Sequence, residues 1–563
     1  MRKVLQKRQL VLFSLFFSAL VSCKEKSKAP ANESINAINL KRGDAIFCGP
    51  PGNQFGTVSF ETSCSEKVKK DFNLAVALLH SFEYDEAEKV FAKIIDEEPE
   101  CAIAYWGVAM CNNHPLWTPP SEPELKKGAA AIAIAQSLKK SKRESDYIEA
   151  IALFYKDWDT QDHYARSILF EKAMEKIYRE YPNDKEAAIF YALALDAAAD
   201  PADKSFSNQK KAGAILNSLY PGEPNHPGIV HYIIHTYDYP ELAALALPAA
   251  RKYASVAPSS AHAQHMPSHI FTRLGLWDEG IASSLVSISS AKCYSESVGI
   301  KGHWDEELHG LDYLVYSYLQ KGENKLAKEQ VDYLKTINEV YPVNFKVAYA
   351  FAAIPARFVL ENKMWNEAAA LKIYPSDFPW QKFPWQKAII HFARLFGFVN
   401  INKIDSAKAE LKNLNTIYDT LIAQKDPYKA NQVLIQIKIS EAWILFKEGK
   451  YNDALTVMNL AADMEDKTEK HPVTPCEVIP AKELLGDILL QMNQPEKALV
   501  VYEQDLQKHP NRFNGLYGAG SAAERSKNSD KAKFYYEQLI AVTKAVNSNR
   551  PELEKIKLFL KNQ

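Results

Sequence analysis

Residues 71–104, DFNLAVALLHSFEYDEAEKVFAKIIDEEPECAIA, carry two apolar stripes at helical spacing, separated by a turn at Phe82-Glu83-Tyr84. Thirty-four residues after Asp71 the same pattern opens again at Tyr105-Trp106-Gly107. A lone helix pair cannot bury both stripes. Pairs stacked in series bury a continuous core and bend into a superhelix with a concave inner face. The grammar is a small residue, an aromatic four positions on and a closing proline: Ala87, Phe91 and Pro99 in the first unit. It returns at Leu276-Trp277-Asp278-Glu279 with Ala282, at Gly322 with Ala327, at Met364–Ala368 and at Gly449–Ala454. Ala498 with Tyr502 and Pro510, and Ala532 with Tyr536, continue it. Weaker units of the same length fill 147–182, 184–221, 228–258 and 385–421. The chain is therefore read as all-α, an α-solenoid of about a dozen helix hairpins over 71–545.

These units resemble the tetratricopeptide repeat (TPR), so the hairpins are expected to be TPR-like. Longer strings resemble a family of bacterial TPR lipoproteins: LLHSFEYDEA (78–87), AYWGVAM (104–110) with NHPLW, HAQHMPSHIFTRLGLW (262–277), VIPAKELLGD (478–487) and PNRFNGLYGAG (510–520). That resemblance spans about residues 47–545. It implies exported helical repeats and carries over no reaction and no catalytic residue.

The N-terminus supplies an address. Arg2, Lys3, Lys7 and Arg8 precede an apolar run from Leu10 to Val21, too short for a permanent bilayer span. The run ends Leu20-Val21-Ser22-Cys23, which resembles the bacterial lipoprotein box. In that family the cysteine is acylated, and Lys24 after it implies sorting to the outer membrane. Expected divisions are a signal peptide (1–22), a lipid-anchored tether (23–40), an N-terminal loop segment (41–70), an N-terminal array (71–342) and a C-terminal array (343–563). The 68 Lys+Arg balance 69 Asp+Glu, which removes the electrostatic case for nucleic acid.

Export permits disulfides. Cys48 and Cys64 bracket the Gly/Pro-rich stretch CGPPGNQFGTVSFETSC, and a bridge between them would stabilise it by roughly 3 kcal/mol in the chain-entropy model. The cysteines at 101, 111, 293 and 476 fall in helical patterns and read as small buried hydrophobes.

Eight of the fourteen histidines lie between 226 and 309, far more than that window's share. In the repeat frame His80 and His114 take the same inner-face slot, and His231 and His235 follow with Tyr239 as turn residue. The next unit adds His262, His265, His269 and Arg273, and the one after adds His309 and Asp312. Arg357 takes an inner-face slot behind Pro355. One reading makes these side chains a polar groove floor, or packing between helices. The other is a metal site: His231 and His235, an i, i+4 pair, share an ion with His265 and His269 from the neighbouring helix. Zinc or copper suits imidazole, and Glu306 or Asp312 stands near enough to serve a metal-activated water. Pro267 disfavours helix at Met266, which would leave His262 and His265 on an approach loop or before a kink. No HExxH, paired CxxC, nucleophile–histidine set or phosphate-cradling loop occurs.

The leading expectation is a non-catalytic, lipid-anchored envelope scaffold without a cofactor, its groove holding a peptide or partner protein. A glycan- or small-ligand-binding accessory of a polysaccharide-utilisation or nutrient-uptake system is the alternative, with Tyr and Trp as stacking surfaces. A histidine-liganded metal protein or metal-dependent hydrolase is the third.

Overall fold

The computed structural model describes residues 29–49, 54–116, 119–544, 546 and 548–562. Cys23 and the signal-like run lie outside them. Helices follow one another through the chain, each packed on the next, from Lys69–His80 to Pro551–Lys561. The architecture is the expected all-α, TPR-like solenoid. The only strands among the described residues are a short parallel pair, His303–Trp304 with Val340–Tyr341. No described helix is long and apolar enough to cross a membrane.

The small-plus-aromatic grammar has a steric cause. Ala87 and Phe91 are fully buried. A Cβ on Gly107 of the following helix would fall 2.3 Å from the Phe91 ring. Late in the chain Gly518 meets Tyr502 in the same way, at 2.4 Å. Only glycine lets the backbone come this close to the ring.

Many of the tight turns inside the hairpins share one device. Phe82, Gly275, Gly322, Lys363, Asn402, Gly449, Asn493 and Lys527 all have positive φ. Each sits two residues after one helix ends and two before the next begins. Glycine or asparagine takes this conformation readily, whereas a bulky side chain is strained in it. Phe82, at φ 57°, is the bulkiest of the set.

Two apolar cores form, one from Ile35 to Phe271 and the other from Ile288 to Ile556. The superhelix also touches itself. Pro227–Thr236 lies against Lys69–His80, and Asp305–Gln320 against Phe513–Arg525. Trp277 Nε1 donates to the Asn511 carbonyl at 2.8 Å, and Arg512 Nη1 donates to Tyr316 Oη at 2.9 Å.

Residues 467–480, between helices Tyr451–Asp466 and Ala481–Gln491, form a strap that reaches inward. Arg357, fully buried, pairs with Asp312 and donates to the Cys476 carbonyl at 2.8 Å. Asp312 and Arg357 therefore anchor this strap and do not face a partner. His80, His231, His269, His309, Asp312 and Arg357 are all buried. The strap thus fills part of the inner face expected from the repeat frame, and what stays open there is a cavity bordered by His235, His269, Arg273 and His309.

The N-terminal segment departs from expectation too. Helix Asn32–Ala37 belongs to the fold, with Ile35, Ile38 and Leu40 buried, so the free tether ends before residue 32. The irregular stretch beyond it packs into the first core through Phe55, Val58 and Phe60. Lys41 N donates to Glu88 at 2.7 Å, Thr57 N to the Asn225 carbonyl at 2.9 Å and Ser63 N to Glu144 at 2.7 Å. Cys48 and Cys64 are not bonded to each other. Cys48 pairs with Cys293, and Cys64 with Cys101. The segment lies extended across the array, so each cysteine meets a different helix pair. Cys111 and Cys476 are buried free thiols.

Candidate metal centre

Three elements deliver the first set of imidazoles. Helix Pro227–Thr236 carries His231 and His235 on one face, an i, i+4 pair. Helix Ala261–His265 brings His262 toward them. Its N-cap Ser260 accepts from Ala263 N at 3.0 Å and donates to Glu83 Oε1 at 2.6 Å, which pins the helix start to the first hairpin's turn. Met266 stays helical (φ −53°, ψ −37°) although Pro267 follows, and Pro267–Arg273 continues beyond it. His262 and His265 therefore sit on a helix and not on a loop.

His231 Nε2 lies 2.9 Å from His235 Nε2 and 3.1 Å from His262 Nε2. Its Nδ1 is 2.6 Å from the His80 carbonyl oxygen, which can only accept, so Nδ1 carries the proton. The neutral ring then offers one in-plane lone pair at Nε2, enough to accept one N–H and not two. Burial, reinforced by neighbouring imidazoles, pushes His231 and His235 well below 6.5, and burial takes His262 to about 4 against the opposing charge of Glu306. Protonating the set is therefore disfavoured. A metal ion would take all three lone pairs at once; Zn–N bonds of ~2.0–2.1 Å set ligand nitrogens roughly 3.4 Å apart, a little wider than the 2.9 and 3.1 Å here. The Phe82 ring backs the set, its centroid 4.5 Å from His231, 5.5 Å from His235 and 5.6 Å from His262.

A second set follows on the same kinked helix. His265 Nε2 is 3.0 Å from His269 Nε2, and the His309 ring centroid is 4.0 Å from that of His265. One ligand atom from each lies within 4.8 Å of the other two. His269 Nδ1 is 3.0 Å from Asp238 Oδ2, the carboxylate–imidazole pairing that orients metal-binding histidines. Arg273 Nε also donates to Asp238, at 2.8 Å, and Lys470 Nζ approaches it at 3.4 Å. Burial would raise the Asp238 carboxyl, but Lys470, Arg273 and His269 outweigh it and hold the group well below the usual range. Burial lowers Lys470 to about 8 against the pull of Asp238.

Both sets border one cavity of about 660 Å³, through His235 and His262 from the first and His269 and His309 from the second. Glu306, Lys346 and strap residues 467–473 complete much of its wall. Lys346 pairs with Glu306 and, at 2.7 Å, with Asp305.

The four-histidine site expected from sequence is thus divided. His231 and His235 take His262 as third member, and His265 and His269 take His309. His80 stands apart, with Nε2 2.8 Å from Glu186 and Nδ1 2.9 Å from Tyr232 Oη; Glu186 also meets His226 at 3.0 Å. These contacts satisfy both of its ring nitrogens. His114 is half-buried, 3.4 Å from Glu124 and against the Tyr84 ring. Cys476, Glu477 and His509 also cluster, but Asp505 at 2.9 Å and Glu477 at 3.1 Å clasp His509, an ion network complete in itself. Sequence reasoning missed Phe82, Asp238 and Lys470. Only Phe82 leaves a sequence signal, a bulky residue where other turns place Gly, Asn or Lys.

No known protein-family model and no curated protein sequence matches the chain. Among solved structures, the P58(IPK) TPR domain aligns at 16% identity over 67% of this chain and 99% of its own, with a TM-score of 0.20. A human IFIT1 dimer with PPP-AAAA aligns at 11% identity over 83% and 94%, with a TM-score of 0.34. The Cut9 and Hcn1 hetero-tetramer of APC/C aligns at 12% over 88% and 97%, with a TM-score of 0.27. The fold assignment stands on the helix pairs themselves.

Proposed function

We propose that this is a lipid-anchored protein of a bacterial envelope whose helical-repeat shell holds a transition-metal ion, copper or zinc, on His231, His235 and His262. The observation that carries the reading is the convergence of three Nε2 atoms on a point where His231, its Nδ1 already committed to a backbone carbonyl, has a single lone pair to offer. His235 and His262 are half-buried and reach the cavity, so an ion there has a path to a ligand. The box-like Leu20-Val21-Ser22-Cys23 supports the anchor, and two disulfides fit an oxidising compartment. A groove-type protein scaffold is less favoured, because the chain's own strap occupies the inner face.

The test is elemental analysis of the purified full chain, followed by chelator competition with added Zn²⁺ or Cu²⁺. The wild type is expected to hold ion at substoichiometric chelator. His235→Ala and His262→Ala, with helix content checked by circular dichroism, should each lower affinity by at least tenfold. A folded wild type that takes up neither ion removes the reading.

A further inference from the structure

The second imidazole set is more than packing. His309 is only 7% exposed, faces the cavity and makes no hydrogen bond to another described residue. Its ring nitrogens open to the cavity, where a ligand or water can meet them, and the Nδ1 of neighbouring His265 is buried without a hydrogen-bond partner. Its two neighbours are prepared for one. His269 donates its Nδ1–H to the Asp238 carboxylate, which turns the His269 Nε2 lone pair toward His265 Nε2.

We propose that the cavity holds a pair of ions, the second bound by His265, His269 and His309 one helical turn from the first. This rests on the reading of His231, His235 and His262 as the first site. The spacing follows from the kinked helix. His262 belongs to one set and His265 to the other, and residues three apart on a helix have Cβ atoms on the order of 5–6 Å apart. Three protein ligands leave each ion an open position, the arrangement of reactive and not purely structural sites. Both positions border the same cavity, so the ligand class is a small carboxylate, whose two oxygens can span the pair of ions.

The experiment loads the metal-free full chain with Cu²⁺ alone and reads stoichiometry by elemental analysis and proximity by electron paramagnetic resonance. Wild type is expected to bind two ions per chain with a spectrum broadened by dipolar coupling. His309→Ala and the milder His309→Gln, each shown folded by circular dichroism, should bind one ion and give the narrow signal of an isolated centre. His262→Ala should also drop to one and lose the broadening. One ion in wild type, abolished by His262→Ala and untouched by both His309 variants, overturns the pair while leaving the first site standing. Two ions persisting in the folded His309 variants overturns the assignment of the second ligand set. No ion in wild type removes both readings together.

Discussion

The ring of Phe82 meets the imidazole of His231 edge-on, centroids 4.5 Å apart and planes inclined by 65°, from a backbone position with φ at 57°. A bulky residue held in the left-handed region costs on the order of 1–2 kcal/mol, and such strain gathers where the surroundings over-determine a site. Phe82→Gly releases that strain and discards the contact with all three imidazoles. The expected outcome is a melting temperature within a few degrees of wild type and ion affinity reduced about tenfold. Thermal melts of metal-free protein and chelator competition on loaded protein separate the two effects.

Acid should act on the ligand set with a definite sign. Burial lowers His262 to about 4, so the folded chain keeps it neutral while the unfolded chain protonates it below about 6.5. Its contribution is fully present above pH 6.5 and is lost as pH falls from there toward 4. Denaturation of the metal-free wild type and of His262→Gln should therefore give a stability difference that shifts against wild type by about 2 kcal/mol between pH 7 and pH 5. A difference independent of pH would show that the ring is not held neutral.

The two bridges tie distant parts of the chain. Cys48–Cys293 spans 245 residues and Cys64–Cys101 spans 37. In the chain-entropy model their loss destabilises by about 5 and about 4 kcal/mol. Non-reducing peptide mapping should recover these pairs and no peptide joining residue 48 to residue 64. The double variant Cys48→Ser, Cys293→Ser should melt lower than Cys64→Ser, Cys101→Ser.

Lys470 fastens the inner strap to the support of the second histidine set, its ammonium 3.4 Å from Asp238. Lys470→Met keeps the stem and removes the charge. Arg273 and His269 still satisfy Asp238, so the fold should persist. The cavity should open more often, and a chelator is expected to strip the ions at least several-fold faster, as stopped-flow absorbance would show. An unchanged extraction rate would place the exit elsewhere.

Much of this was legible because the information is local. A period near 34 residues, with Ala87 and Phe91 repeated in register, dictates stacked hairpins whatever lies between them. The concentration of histidines was equally visible. Their partition was not, since it depends on Met266 remaining helical before Pro267, where burial of His265 and half-burial of His262 offset an unfavourable local preference. The partners of Cys48, His80 and Asp238 are 245, 106 and 232 residues away in the chain, at Cys293, Glu186 and Lys470. Contacts at such separations are set by how far the superhelix turns before it touches itself, and no short pattern encodes that.

The early start of the fold has a spatial consequence. Helix Asn32–Ala37 is already seated, with Ile35 and Ile38 in the core. With the acyl group proposed at Cys23, nine peptide units separate the anchor from the helix, a span of at most about 30 Å. Under that proposal the start of the helix stands within roughly one bilayer thickness of the lipid surface. Metal exchange with the cavity, under the same proposals, would then take place close to the membrane and not out in the open volume of the compartment.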